Sequence, residues 1–485
     1  MPMSDFFQLV LYVFMEAMIP AAACMVIGTA VWLKLTEKRH PGKKAPLRKA
    51  IPLALFLAYL GGLFSLTLFQ RATGSPGIQS HLFRSFWEAW NHFDLHFWGL
   101  FLGNIAMFLP LGVLLPLIAK SFRRWYVTIP TGFGVSLLIE TVQLVFQLGS
   151  ADVDDLFCNT LGNALGYCLC MVGLSVWEKK PARGATYGAL PLLAAIGLAG
   201  VFLVYETQPY GNLMEGPSFV ADTSGMEWVL DCDLSQEPRE MDVYFAQPFD
   251  HAGALAFAQE FAQEHGKVID EIMNYDDTIW VRNPVYGETG FRLSVTLADR
   301  TFSYRDLKYE YYNSISAEER YLPDDGQRTL EELRTALLEY GIMIPERATL
   351  THDGDSDPTA QGWYTIQLNQ IIEGNTLLDG TIRCKVLTHC ALEEIYNGMT
   401  VSTRIGTEVI LSEAEAYQRL REGRFSNGSR FEYVAREMAP SEIHVLSCEL
   451  EYLTDTKGYR QPVYYFELAE VGPVFVPALR DYRGP

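Results

Sequence analysis

The chain has 485 residues, too many for one small domain, and its 38 Lys and Arg stand against 58 Asp and Glu, a formal net charge of −20. Residues 1–206 hold 15 basic and 11 acidic side chains, a net of +4; subtraction from the totals leaves 23 and 47, a net of −24, for the rest. So acidic a C-terminal half excludes nucleic acid as a partner, because phosphates require positive charge, and the asymmetry marks a compartment boundary near Tyr205.

Six apolar runs, about 6–33, 51–70, 97–118, 126–147, 156–177 and 187–205, each approach the roughly 20 residues that a spanning helix needs. The sequence predicts a multidomain protein: an α-helical polytopic membrane bundle of six transmembrane helices over 1–205, then an extracytoplasmic α+β domain over 206–485. The first run lacks a basic flank and is too long for a signal-peptide core, so it reads as a retained helix despite "AAAC" at 21–24. The basic connections 34–49, 120–124 and 178–183 fall on one side if every run spans, and the positive-inside rule makes that side cytoplasmic. The expected location is the cell membrane, with the N-terminus, the 71–96 loop, the acidic turn "SADVDD" at 150–155 and everything after Tyr205 outside.

In the 71–96 loop, "HFDLH" at 92–96 offers His92, Asp94 and His96, but without a ligand-spacing pattern it reads as an interfacial segment beside Trp87, Trp90 and Trp98. The fourth run places Ser136, Glu140, Gln143 and Gln147 four, three and four residues apart, on one helical stripe. Asn104 and Glu140 each lie seven residues from a presumed outer end, a depth of about 10 Å at 1.5 Å per residue. Asn159 and Asn163 follow one turn apart in the fifth run, and the expected arrangement has Asp152, Asp154 and Asp155 hanging above this polar level. A carboxylate at such depth is costly and should face the bundle interior. Gly162-x-x-x-Gly166 suits close helix contact, as do Gly132 and Gly134.

These residues carry a family resemblance. "GNIAMFLPLGVLLPL" at 103–117, "SLLIETVQLVF" at 136–146 and "SADVDDLFCNTLGNALGY" at 150–167 resemble the VanZ-like family of bacterial membrane proteins, over about 51–175. The matching positions are Asn104, Pro110, Gly112, Glu140, Gln143, Asp152, Asp155, Asn159, Gly162 and Gly166. The resemblance implies a link to the cell envelope and, for the family's namesake, resistance to the glycopeptide teicoplanin. One departure is Gly149, where many members have Arg; the aspartate charge here must then be met by Arg71, Arg84, a cation or a ligand.

After Tyr205, amphipathic helices are predicted at 251–265, 329–340 and 412–422, the last two opened by capping boxes at Thr329/Glu332 and Ser412/Glu415. Strands "TIWVRN", "FRLSVTL", "GWYTIQL", "TIRCKVL" and "PVYYFEL" alternate apolar and polar positions, giving two or three helix-plus-meander units. The final segment resembles ectodomain modules of the YycI and PepSY-like type from Gram-positive envelope proteins. "HDGDSDP" at 352–358 has calcium-loop spacing but Pro358 where Gly is needed, and so reads as an acidic turn. Cys232, Cys384, Cys390 and Cys448 permit three pairings.

No Walker, G-x-S-x-G or H-E-x-x-H pattern is present, and neither cofactor nor metal is expected. The leading expectation is a binding protein whose pocket of Asn104, Glu140, Gln143, Asp152, Asp155 and Asn159 takes a lipid headgroup or a lipid-linked wall precursor, its exported half engaging wall material or an envelope protein. Two other classes stay open: a membrane hydrolase or transferase using Glu140 as acid–base, for which no nucleophile is evident, and a sensor or scaffold merely anchored by the bundle.

Overall fold

The computed structural model describes residues 22, 25–31, 34, 38, 47–69, 77–275, 277–315, 321–438 and 440–485. The first apolar run, Cys24 and Arg71 thus lie largely or wholly outside the described residues. Two compact units divide between Ala221 and Asp222.

The first unit is helical. Among the described residues, five helices are long and apolar enough to cross a membrane: α1 (Leu47–Phe64, extended by a π-helical turn Ser65–Phe69), α3 (Leu95–Ile118), α4 (Trp125–Val145), α5 (Val153–Trp177) and α6 (Pro181–Thr207). Between α1 and α3 runs the short helix α2 (Arg84–His92). Two two-residue strands, β1 (Ile78–Gln79) and β2 (Ala151–Asp152), pair in parallel and hold the α2 approach against the start of α5.

α3 and α5 form the closest pairing, and glycine makes it possible. A Cβ on Gly162 would collide with the Ile105 carbonyl and one on Gly166 with the Leu109 carbonyl; from the other side, one on Gly112 would strike the Asn163 carbonyl and the Tyr167 amide. All of these neighbours are backbone atoms, which cannot rotate away. Gly132 on α4 leaves the gap through which the Asn163 side chain reaches, whereas Gly134 has open space around it. Leu63, Phe108, Leu111, Leu115 and Ile139 bind α1, α3 and α4 into one apolar cluster.

The second unit is built on one large sheet. Its order is β3 (Glu227–Leu230), β14 (Glu442–Thr454), β15 (Tyr459–Leu468), β4 (Glu240–Phe245), β13 (Thr400–Val409), β11 (Thr376–Leu387), β12 (Ala391–Asn397), β8 (Phe302–Asp306), β7 (Phe291–Thr296), β6 (Thr278–Asn283) and β5 (Glu271–Asn274). β10 (Trp363–Glu373) and β9 (Thr349–His352) branch from β11, and β16 (Gly472–Pro477) from β15. The branch arises because one edge of β11 has two partners: Thr376–Asp379 pair with β13 and Ile382–Leu387 with β12.

Helix followed by antiparallel meander recurs: α7 (His251–Glu264) before β5–β8, α9 (Leu330–Leu338) before β9–β12, and α10 (Glu413–Arg421) with α11 (Gly428–Met438) before β14–β16. A further helix, α8 (Lys308–Ile315), follows β8. Both capping boxes form as the sequence predicts. The 353–357 acidic residues are spent locally: Asp353 accepts from Thr365 and Arg383, Asp355 pairs with His352, and Asp357 caps a turn at Thr359. The cysteines at 158, 168, 170, 232, 384, 390 and 448 are unbonded.

Lys267 and Asp306 form an ion pair of 2.7 Å with side chains only 3% and 2% exposed. The ammonium also donates to the Glu288 carbonyl at 2.9 Å, and Tyr304 donates to the other Asp306 oxygen at 3.2 Å. The pair is embedded and satisfied, so deleting one charge strands the other.

Two predictions follow from this packing. Gly166→Val should prevent the α3–α5 approach and lose detergent-stable protein, overpacking alone costing about 1–3 kcal/mol, while Gly134→Ala should leave the thermal unfolding midpoint unchanged; equal behaviour would contradict the packing. Lys267→Met should destabilise residues 222–483 by about 3–5 kcal/mol, measured as heat-induced loss of protease resistance.

Candidate functional site

The polar residues of the bundle gather where α3 begins, α4 ends and α5 begins. Asn104 Nδ2 donates to Asp155 Oδ1, joining α3 to the first turn of α5. Glu140 is 5% exposed, and its Oε2 accepts the Asp152 backbone N–H at 3.0 Å. It therefore faces the bundle interior. Asp152 caps α5 through its side chain, which accepts the Asp154 N–H at 2.8 Å.

Asp154, 2% exposed, does something the sequence does not reveal. Its Oδ1 accepts the Phe83 N–H, and its Oδ2 accepts the Ser85 N–H at 2.7 Å, so one carboxylate holds the N-terminus of α2. From there α2 is clamped on its other side. Asn91 donates to the Gly216 and Pro217 carbonyls at 2.9 and 3.1 Å, Asn212 donates to the Trp90 carbonyl, and Phe219 stacks on His81 with Arg84 over its ring. Residues 208–221 therefore belong to the helical unit, and the boundary expected at Tyr205 moves to Ala221.

Nearer the end of α4 than Glu140, Gln143 donates to the Thr67 carbonyl at 2.9 Å; deeper along α5, Asn159 donates to Ser136 Oγ at 3.0 Å and Asn163 to the Thr128 carbonyl at 3.0 Å. Each amide nitrogen ties two helices together. Each amide oxygen, Gln143 Oε1, Asn159 Oδ1 and Asn163 Oδ1, is buried without a partner among the described residues, an arrangement that costs on the order of 1–3 kcal/mol per group unless a donor arrives. At the same end, Asn104, Asp152 and Asp155 are half-buried.

The structure joins Asn104 to Asp155 and Glu140 to the Asp152 backbone, while Gln143 and Asn159 bond to Thr67 and Ser136; three placements differ from expectation. Asp155 does not hang above Asn104 but bonds to it. Asp154, not counted among the six, is more buried than Asp152 or Asp155. Gln147 leaves the stripe: α4 ends at Val145, and Gln147 is exposed in a turn with φ 55°.

Gly149, where the resemblance expects Arg, has φ 151°, a conformation that favours glycine over any branched side chain. Arg84 directs its guanidinium to Glu88 and Gln79, at 2.8 and 2.9 Å. Burial pushes the Asp152 carboxyl above its ordinary range, against the pull of the Asp154 N–H and the Arg84 charge. The 92–96 segment is committed to structure: Asp94 caps α3 through the Phe97 N–H at 2.8 Å, and His92 stacks on Phe97. Among the described residues no three His, Cys, Asp or Glu side chains are grouped as a metal site.

The bundle defines a multi-pass membrane protein. Residues 56–174, from within α1 to near the end of α5, match the VanZ/LLP1 family model, so every residue of the polar cluster lies inside the matched region and α6 and the second unit lie outside it. No curated protein matches the chain.

Replacing Asp154 by Asn turns one acceptor into a donor facing an N–H. Asp154→Asn should loosen α2 by about 1–3 kcal/mol and speed proteolytic cutting within 77–93 while the long helices stay protected. Unaltered cutting there would show that α2 is held by its aromatic contacts alone.

Proposed function

We propose that this is a bacterial cell-envelope protein that binds a polar lipid headgroup or lipid-linked wall precursor from the outer leaflet, in the cluster formed by Asn104, Glu140, Gln143, Asp152, Asp155 and Asn159. The supporting observation is that the cluster is rich in acceptors: three of its six members are carboxylates, and two of its buried amides keep their oxygens unpartnered among the described residues. Such a site accepts hydrogen bonds and positive charge. The ligand chemistry that fits is a hydroxyl-rich or ammonium-bearing headgroup, with the half-buried Asn104–Asp155 pair as the point of entry.

In this reading the Asp152 end of the bundle and residues 222–483 face outward, because the connections 34–49, 120–124 and 178–183 are basic. The match to the VanZ/LLP1 family supports envelope membership and a contribution to glycopeptide resistance. The second unit, with its repeated helix and meander, engages wall material or an envelope partner.

Losing one charge-assisted hydrogen bond weakens binding by about 1.5–3 kcal/mol, tenfold or more. Asp155→Asn and Glu140→Gln should therefore lower co-purifying lipid precursor about tenfold or more and sensitise cells to teicoplanin. Unchanged lipid recovery and susceptibility at normal expression would remove the cluster from the account.

A further inference from the structure

We propose that Cys232 and Cys448, separate thiols in the structure, are joined by a disulfide in the mature protein, fastening the strand that opens the second unit to its C-terminal hairpin. The proposal rests on the outward placement of residues 222–483 put forward above.

The geometry comes from strand register. β3 and β14 run parallel, with Ile443 opposite Trp228 and Val445 opposite Leu230, and the Asp231 N–H extends the ladder to the Val445 carbonyl at 3.0 Å. Side chains alternate faces along a strand, so Trp228 and Leu230 share one face of β3, and Cys232 lies two residues past its end. Trp228 stacks on Phe431 of α11, which identifies that face as the one beneath the helices. An unbroken β14 would set Ser447 opposite Cys232.

β14 is not unbroken. Its pairing with β15 slips between Val445 and Ser447, one residue being added on the β14 side, so that Val445 faces Leu468, Ser447 faces Glu467 and Cys448 faces Phe466. Phe466 and Leu468 are fully buried. The bulge therefore returns Cys448, rather than Ser447, to the helix-side face next to Cys232. Neighbouring strands lie about 4.8 Å apart, within the separation of roughly 4.4–6.8 Å between α-carbons that a disulfide spans.

A third point locates both sulfurs. Burial, and then the Glu413 carboxylate at the start of α10, push the thiols of both Cys232 and Cys448 upward, Cys448 to about 12. Half-buried sulfurs beside a carboxylate favour the neutral state, and a disulfide is neutral. The other two cysteines of this unit lie elsewhere: Cys384 is fully buried between Tyr364 and Ile395, and Cys390 lies past the Leu387–Ala391 pair. Cys390 packs against the apolar cluster that contains Cys384.

Oxidation removes one proton from each thiol and two electrons from the pair as the S–S bond forms. Both electrons pass by exchange to the disulfide of an envelope thiol oxidoreductase, which leaves as a dithiol.

The test uses the full chain in cells. Cells are acid-quenched, thiols are blocked in denaturant with one alkylating reagent, and then, after reduction, a second isotopic form is added; peptide mass spectrometry reads which label each cysteine carries. Protease added to protoplasts reads, in parallel, whether residues 222–483 are outside. The expected result is the second label on Cys232 and Cys448, with Cys232 switching to the first label in Cys448→Ser. First label on both in the wild type, with the unit cut by external protease, overturns the disulfide and leaves the outward placement standing. First label on both with the unit protected overturns the placement and the disulfide together. Second label persisting on Cys232 in Cys448→Ser overturns this pairing.

Discussion

The near-contact of the α3 and α5 backbones is the constraint on which the bundle depends. Lipid offers no hydrophobic drive for one apolar helix to join another, so association rests on close packing and a few polar contacts. Three glycines supply the packing, and their places are fixed on both partners: Gly112 on α3 against Asn163 and Tyr167, Gly162 and Gly166 on α5 against Ile105 and Leu109. Asn104 adjoins Ile105, and Asp155 lies two turns from Gly162 on the same stripe of α5. Once the glycines set the separation, Asn104 and Asp155 meet.

The density of negative charge at 152–155 has a partly structural origin. A helix begins with amides that lack internal partners, and here carboxylates serve two segments at once. Glu140 takes the Asp152 N–H, Asp152 takes the Asp154 N–H, and Asp154 reaches away to the amides that open α2. The positive end of the α5 dipole makes the whole group less costly. Asp155 accepts from a side chain, Asn104, and like Asp152 it is only half-buried. A site that takes a ligand at this end would therefore be approached through Asp155, with Asp154 acting as framework.

Much of this was legible in the sequence, and the reasons are local. The apolar runs announce the spans because length and hydropathy are properties of one segment, and both capping boxes announce helix starts because the partners are three residues apart. Glycine spacing suggested a tight contact but did not distinguish Gly132, which admits Asn163, from Gly134, which touches nothing; that difference lies in the facing helix. The polar cluster was visible as a stripe, yet the depth argument placed Asp155 a level too high, because it assumed that α5 begins near 156 when Asp152 already caps it. Asp154 was invisible as an anchor since its partners, backbone amides at 83 and 85, have no residue-type signature.

The boundary between the units illustrates how tertiary contacts override composition. Charge and hydropathy both change at Tyr205, but the chain does not leave the bundle there. Tyr205 stacks on Phe93, Asn212 and Asn91 cross-link the following segment to α2, and Phe219 closes against His81 and Arg84. Because α2 is itself suspended from Asp154, the point at which the chain departs is set by the acidic start of α5 and not by the end of α6. The VanZ/LLP1 match stops at residue 174, yet residues beyond it are held in place by a carboxylate within it, so the matched region and the departing segment are one mechanical piece.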